Sequence, residues 1–450
     1  MPVKGSRQPP GPKGPPIIGM ALKIRRDPLN ALRTIAREYG DIVRFHVLMQ
    51  ERILLNHPDF IEQVLVIQQN KFHKSELTRR ITARMLGQGL LTSEGDFWRR
   101  QRRLAQPAFH RSRINEYGAR MREITQAHIS GWSDGEVRDL AEEMTALTLN
   151  NAVSTLFSTA LPGEAQQVGL AMTFLMRYSL ARQRSPIRIP ENWPTPKNRR
   201  ASRDLAFMDS LVYRMIEERK SEKRSDRRAD LLSLLMGAMD EDGSHMTQKQ
   251  LHDEAMTLFI AGHETTAQML AWTWYALGEN PRAQARLHEE LNEVLGGSPP
   301  DAADFGRLPY LQAVMSEILR LYPPAYITAR EVIEPCQIGE YVFLPGTTIL
   351  FSQWVAHRDP RYFDDPDAFL PERWIDGLAN RLPAGAYYPF GDGPRRCIGQ
   401  GFALLEAGIV IATLAQRFQF QLVPGHPVVA EPLVTLRPRH GIRMTLHARK

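Results

Sequence analysis

From about residue 59 to 330, apolar positions recur with the period of amphipathic helices, broken by proline and glycine clusters. Ahead of this region, DIVRFHVL (41–48) and RILLNHP (52–58) read as two strands joined by a short turn. Strand-like segments return at 332–352, around 417–423 and at 432–446, where LVTLRPRHGIRMTL reads as a hairpin. The pattern predicts a mainly α protein with small β-sheets near both ends. Its clearest helix is MTQKQLHDEAMTLFIAGHETTAQMLAWTWYALGENP (246–281). Thr247 with Gln250 forms a capping-box pattern, and Gly278 with Pro281 marks the stop. About thirty residues at 1.5 Å per residue span roughly 45 Å, and apolar residues on more than one face predict burial. SPIRIPENWPTPKNRR (185–200) reads as a proline-rich loop, and RKSEKRSDRRAD (219–230) as a solvated connection. There is no internal repeat and no long linker. Residues 1–20 form a proline-rich arm and residues 21–450 a single domain.

Composition narrows the partners. Of 450 residues, 43% are apolar, enough for a large core. A net charge of +7, from 57 basic and 50 acidic residues, is too modest and dispersed to indicate nucleic-acid binding. Cys336 and Cys397 are the only cysteines and form no C-x-x-C pair, which excludes a disulfide scaffold and fits a reducing compartment. The N-terminus lacks the apolar core of a signal peptide, and no uninterrupted apolar run is long enough for a membrane span. The expected location is cytoplasmic.

Several motifs are ambiguous alone. Within AGHETT, Gly262 costs about 1 kcal/mol relative to alanine in a helix. Thr265 lies four residues after Ala261 and can bond its carbonyl, while Glu264 adds an acid to the same turn. The stretch reads either as a packing glycine beside a solvated pair or as a proton-delivery site. Glu317 and Arg320 have the spacing of an ordinary surface pair. DAFLPERWID contributes Glu372, Arg373 and Trp374. In FWRRQRRLAQPAF, Trp98 and Arg102 share one helical face, Arg99 and Arg103 the next.

Cys397 sits in FGDGPRRCIG, ahead of the apolar pattern IGQGFALLEAGIVIATLAQRF. Arg396 stands where a dinucleotide loop needs glycine, and no second thiol or paired histidine supplies zinc-ligand spacing. A buried, inert cysteine is the default reading. Against it, a following helix stabilises a thiolate. Gly391, Gly393 and Gly399 let the backbone approach a large flat partner, and Arg395 supplies a cation. Thiolate, close backbone and cation together suit a haem held by cysteine.

The segment resembles the haem-ligand loop F-x-x-G-x-R-x-C-x-G of the cytochrome P-450 superfamily, at Phe390, Gly393, Arg395, Cys397 and Gly399. The resemblance extends in order along the chain. AGHETT is similar to the oxygen-activating turn, with Ala261 against the haem and Glu264 and Thr265 as the acid–alcohol pair. Glu317 and Arg320 match E-x-x-R, and Arg373 in PERW completes that structural triad. Trp98 and Arg102 match W-x-x-x-R, which implies contact with a haem propionate, as does Arg330. The family implies a triangular helical prism around a buried haem b (iron protoporphyrin IX), so residues 21–450 form one haem-thiolate monooxygenase domain.

The implied reaction inserts one atom of O2 into a C–H bond, with Cys397 as iron ligand and Thr265 and Glu264 delivering protons. Reducing equivalents from NAD(P)H reach the chain through a separate ferredoxin or flavodoxin and its reductase, with Arg99 and Arg103 as candidate docking residues. The implied pocket draws on 86–91, Ala261, Ala325, Tyr326, Ile327, Thr328, Val434 and Thr435. These residues are apolar or weakly polar, with no basic residue placed to clamp a charged group, and indicate a lipophilic substrate such as a fatty acid or a terpenoid or carotenoid. The expected state is a monomer, and the 185–200 loop is read equally as a weak membrane contact or as plain surface. Two alternatives stand: a haem-thiolate peroxygenase or isomerase, and a non-catalytic haem sensor.

Overall fold

The computed structural model describes residues 8–15, 17–159, 163–185, 189–221, 230–239 and 243–449. The chain divides into two compact units that each draw on both halves of the sequence, Met1–Arg80 with Ser316–Cys397, and Ile81–Met315 with Ile398–Lys450.

The first unit is built on a five-stranded sheet. Strands β1 (Ile42–Val47), β2 (Gln50–Leu55), β3 (Phe72–Lys74), β4 (Thr328–Val332) and β5 (Thr348–Phe351) lie in the order β1-β2-β5-β4-β3. The β1–β2 hairpin is the strand pair expected from sequence, and β2 adds β5 in parallel. Because side chains alternate across a strand, both faces can be buried. Ile42, Ile53, Leu55, Ile349 and Phe351 enter one apolar cluster. Val43, Phe45, Leu54 and Leu350 enter the other, against Leu32 and Ile35 of the helix Pro28–Tyr39. Of the arm, Pro10 is tied to β1 through the Arg44 amide at 2.8 Å.

The second unit is helical. Its helices α1 (Gly95–Ala105), α2 (Leu140–Leu156), α3 (Gln248–Glu279) and α5 (Gln400–Arg417) carry most of the candidate residues. Helix α4 (Pro309–Leu321) ends in the first unit. The 32-residue α3 is closed at its start by a full capping box, with Gln250 N–H on Thr247 Oγ1 at 3.2 Å and Thr247 N–H on Gln250 Oε1 at 2.8 Å. It stops at Glu279, and Pro281 opens the next helix. Its residues are buried on nearly every face. Among the described residues no helix is long and apolar enough to cross a membrane.

Three sequence expectations need correction. Residues 432–446 are not a hairpin. Strand β7 (Leu436–Pro438) pairs back on Ala430–Pro432, while β8 (Arg443–Ala448) pairs with β6 (Phe418–Leu422) and Val137–Asp139. The fully buried Met444 and Leu446 account for this, because they need the apolar face that β6 presents with Phe418 and Phe420. The proline-rich loop is shorter than read, since helix Pro196–Ser221 takes over at Pro196, a favoured first helical residue. Residues 186–188 of that loop and 222–229 of the charge run lie outside the described residues. The ends of the charge run are not solvated, because Arg219 and Asp230 form a buried ion pair at 2.6 Å.

Candidate active site

In the first unit, the loop before α5 is folded by its own backbone. The Cys397 amide donates to the Phe390 carbonyl at 2.9 Å, and the Gly391 amide to Tyr388 at 2.9 Å. Gly391 and Gly393 have φ of +70° and +63°, in the left-handed region that favours glycine. At Gly393 a Cβ would fall 2.0 Å from the Leu65 carbonyl oxygen, so no other residue fits. This tight framework leaves Cys397 exposed, whereas Cys336, in the strand Cys336–Ile338, is buried and its thiol is pushed up by that burial. Cys397 lies two residues before Gly399, the N-cap of α5, where the helix amides favour a thiolate. Among the described residues no cluster of three or more His, Cys, Asp or Glu side chains can hold a metal ion. The single exposed Cys397 thiol in a glycine-restricted loop suits a metal that brings its own in-plane ligands and takes one thiolate, as haem iron does.

Phe390 and Arg395 are half-buried in the same loop. Arg330, on β4, is also half-buried; its guanidinium lies 5.8 Å from the Phe351 ring centre and donates to the Ala329 carbonyl at 3.1 Å. Ala325 is exposed and Ile327 half-buried, but Tyr326 is turned inward. The Tyr326 carbonyl takes the Ser352 hydroxyl at 2.8 Å, which ties its backbone to the core.

The triad is a buried hub, not a surface pair. Glu317 and Arg320 are fully buried and joined by two bonds of 2.8 Å. Arg320 also donates to the carbonyls of His357 (2.9 Å), Pro366 (2.6 Å) and Ala368 (2.9 Å), which uses its whole donor set. Glu317 further accepts from Leu370 N–H, Arg373 Nε and Trp374 Nε1 at 2.9, 3.1 and 2.8 Å. Its net pulls the segment from 357 to 374 onto α4. Burial, and then Arg320, hold the His357 ring far below its ordinary range, at about 3, so it stays neutral and its Nε2 accepts the Tyr388 amide at 3.0 Å.

In the second unit, Trp98 is buried on α1 and the Arg102 guanidinium lies 5.9 Å from its ring centre. Arg99 and Arg103 are exposed on the adjacent face, and Arg99 is paired with Asp96. On α3, Ala261 is exposed and Thr265 half-buried, an opening in an otherwise buried helix. Thr265 Oγ1 donates to the Ala261 carbonyl at 3.0 Å, as the spacing predicts, and Thr266 repeats the pattern to Gly262 at 3.3 Å. Burial lowers His263, whose Nδ1 lies 2.9 Å from the Phe259 carbonyl, so it remains a neutral packing residue.

Packing against α2 does not require glycine at 262. A Cβ there would meet Leu156 Cδ1 at 3.4 Å, an ordinary contact. Gly262→Ala is expected to fold normally and gain up to about 1 kcal/mol of helix propensity, read as a higher urea midpoint.

Glu264 is not part of a solvated pair. It is buried, and both oxygens are engaged by Arg437 on β7, through Nε at 2.7 Å and through Nη2. Thr435 also donates to Glu264 Oε1 at 2.7 Å, and Arg437 Nη1 reaches Thr173 at 2.9 Å. Thr435, inferred as a substrate contact, is thus buried with its hydroxyl committed to the acid, while Val434 beside it is exposed. Of the 86–91 segment, Leu86 and Leu90 are buried and Leu91 is exposed. Sequence reading missed Arg437. Its only signal is a basic residue in a short strand otherwise flanked by apolar ones.

A second buried acid lies on α5. Glu406 is approached by Asn151 of α2 and Thr266 of α3, yet neither oxygen finds hydrogen-bond geometry. Burial pushes it up to about 8 from an ordinary 4.5. Folded Glu406 keeps a proton that the unfolded chain releases, so stability falls as pH rises between those values. Glu406→Gln is expected to flatten this slope, with the largest gain in Tm near pH 8; thermal melts across that window check it.

A family model described as Cytochrome P-450 matches residues 9–443. The chain is 37% identical over 427 residues to Cyclooctatin synthase of Streptomyces melanosporofaciens, covering 94% of this chain and 92% of the relative. It is 34% identical over 416 residues to Cyclooctat-9-en-7-ol 5-monooxygenase of the same organism, covering 92% and 90%. Pentalenene oxygenase of Streptomyces avermitilis is 32% identical over 439 residues, covering 97% of both chains.

Proposed function

The chain belongs to the cytochrome P-450 family of haem-dependent monooxygenases, and from that premise we propose that it hydroxylates a terpenoid, with electrons from a separate ferredoxin or flavodoxin. The observation that carries the catalytic assignment is the exposed Cys397 thiol, presented by a glycine-restricted loop at the start of α5. Cys397 would hold the iron. Trp98, Arg102, Arg330 and Arg395 would meet the propionates, and Phe390, Gly399 and Ala261 would bound the macrocycle. When bound, the haem activates O2, and thiolate donation favours O–O cleavage.

The chain's own residues supply position and protons. Thr265 donates to the Ala261 carbonyl, which leaves its oxygen lone pairs to accept a proton-bearing partner. Glu264 is fixed by Arg437 and Thr435 and holds α3 to β7; its part in proton delivery is to orient this turn. Glu264 neutralises Arg437, so that cation is not left to clamp a charged substrate. Of the residues read from sequence as pocket-lining, Leu91, Ala261 and Val434 are apolar and exposed in this unit. Two of the relatives carry names of terpenoid oxygenation, which supports the substrate class. The exposed Arg99–Asp96 pair is weakly held, as surface pairs are, so Arg99, with Arg103, can turn to an acidic electron carrier.

The test is turnover with a surrogate ferredoxin, its reductase and NADPH, on a panel of cyclic terpenes, terpene alcohols and fatty acids. The expected result is O2 and NADPH consumption coupled to a terpene product one oxygen heavier. Turnover only with peroxide would indicate a peroxygenase, turnover of fatty acids alone would overturn the substrate class, and no product from any substrate would indicate a sensor.

A further inference from the structure

We propose that Asp253 and Glu254, consecutive carboxylates near the start of α3, latch the 86–93 loop onto that helix and so determine which substrates the enzyme accepts. The substrate half of this rests on the monooxygenase reading above; the latch itself does not.

The loop between the helix Glu76–Leu86 and α1 exposes its backbone amides in alternation to α3. Gln88 N–H donates to Asp253 Oδ2 at 3.0 Å, and Leu90 N–H donates to Glu254 Oε2 at 3.0 Å. Between them the chain comes too close for any side chain. A Cβ on Gly89 would lie 2.0 Å from Thr257 Oγ1 and 2.7 Å from the Asp253 carbonyl oxygen. Gly87, at φ +53°, faces the Asp253 carboxylate, where a Cβ would fall 2.3 Å from Cγ. Thr257 Oγ1 donates in turn to the Leu86 carbonyl at 3.4 Å. Two glycines and two acids therefore define a single docked position.

That position bears on the site. Glu254, Thr257, Ala261 and Thr265 follow one another at helical spacing along one face of α3. The loop is laid on the face that, one turn later, opens at Ala261 and Thr265. Leu91, next to the latched Leu90, is the loop's exposed apolar side chain, so the latch fixes where Leu91 sits.

The acids are held differently. Burial opposes the Asp253 charge, but bonds from His252, the Gln88 amide and Lys249 outweigh it and keep the carboxyl below its ordinary range. His252 also lies 3.2 Å from Asp209 and stacks on Tyr213 at 4.3 Å, which links the latch to the helix Pro196–Ser221. Burial is the main cause that pushes Glu254 up to about 8, against the pull of the Leu90 amide. Glutamine is thus a close mimic of its neutral form, and leucine a mimic without an acceptor.

The test is hydrogen exchange on the haem-loaded protein without substrate, for wild type, Glu254→Leu, Glu254→Gln and Gly89→Ala. Losing the Leu90 bond is expected to speed exchange of the 86–93 amides by roughly tenfold in Glu254→Leu, and Gly89→Ala should do the same. Glu254→Gln should keep wild-type protection, and exchange in α2 and α5 should not change in any variant. A second reading titrates cyclic terpenes of graded size by the Soret shift; Glu254→Leu should bind the larger ones that wild type rejects. Unchanged loop exchange in Glu254→Leu would overturn the latch, as would equal acceleration in the Gln variant or acceleration spread over the whole unit. An open loop with an unchanged terpene profile would overturn its role in specificity. Accelerated loop exchange in a protein that binds no terpene would support the latch and count against the terpenoid reading alone.

Discussion

Arg320→Ala is expected to yield little or no folded protein, not a folded protein of reduced activity. The substitution strands Glu317 in a fully buried site and removes the donors from the carbonyls of His357, Pro366 and Ala368. Breaking a buried pair from one side costs about 3–5 kcal/mol, and the orphaned carbonyls add to it. A typical domain has only about 5–15 kcal/mol in total. Arg320→Lys should fare little better, because a single ammonium cannot reproduce a planar fork with five bonds. Arg373→Ala should be milder, since it leaves the two bonds between Glu317 and Arg320 in place. Soluble yield and urea unfolding check this order; a stable, cooperatively folding Arg320→Ala would contradict it.

Thr265→Ala is expected to fold, load haem and consume NADPH and O2, but to form hydroxylated product at least about a hundredfold more slowly, the scale of a lost proton-transfer group. The hydroxyl makes one local bond to Ala261, so its loss strands no buried charge. Glu264 should behave differently. Glu264→Ala leaves the Arg437 guanidinium, itself mostly buried, without its counter-charge, and should lower stability by about 3–5 kcal/mol. Replacing Arg437 with methionine in the same chain should recover much of that loss. Product-to-NADPH ratios beside urea midpoints separate the two residues. Equal uncoupling at full stability in both would mean that the Arg437 clamp does not hold the acid.

These contrasts show what a sequence carries and what it does not. The capping box of α3, the Thr265 back-bond and the β1–β2 hairpin are local, set by residues a few positions apart, and were legible from spacing. The Cys397 loop was legible for the same reason, since its glycines, cysteine and following helix are contiguous. Long-range partners were not. Arg437 is 173 positions from Glu264, and Trp374 is 57 from Glu317. The spacing of Glu317 and Arg320 suits a surface pair equally well, and only their burial distinguishes the two. Segment 432–446 was misread because its turn-like Pro438–Gly441 stretch suggests a hairpin, while the choice of strand partner depends on buried Met444 and Leu446. The latch at Asp253 and Glu254 joins side chains to backbone amides, and amides leave no trace in a pattern of residue types.

The central claim is that Cys397 holds a haem iron as thiolate, and the absorption spectrum of the dithionite-reduced protein under carbon monoxide tests it most directly. The account predicts a strongly red-shifted Soret band in wild type that is absent from Cys397→Ser. A protein with no haem band, or a band that is the same in Cys397→Ser, would contradict it.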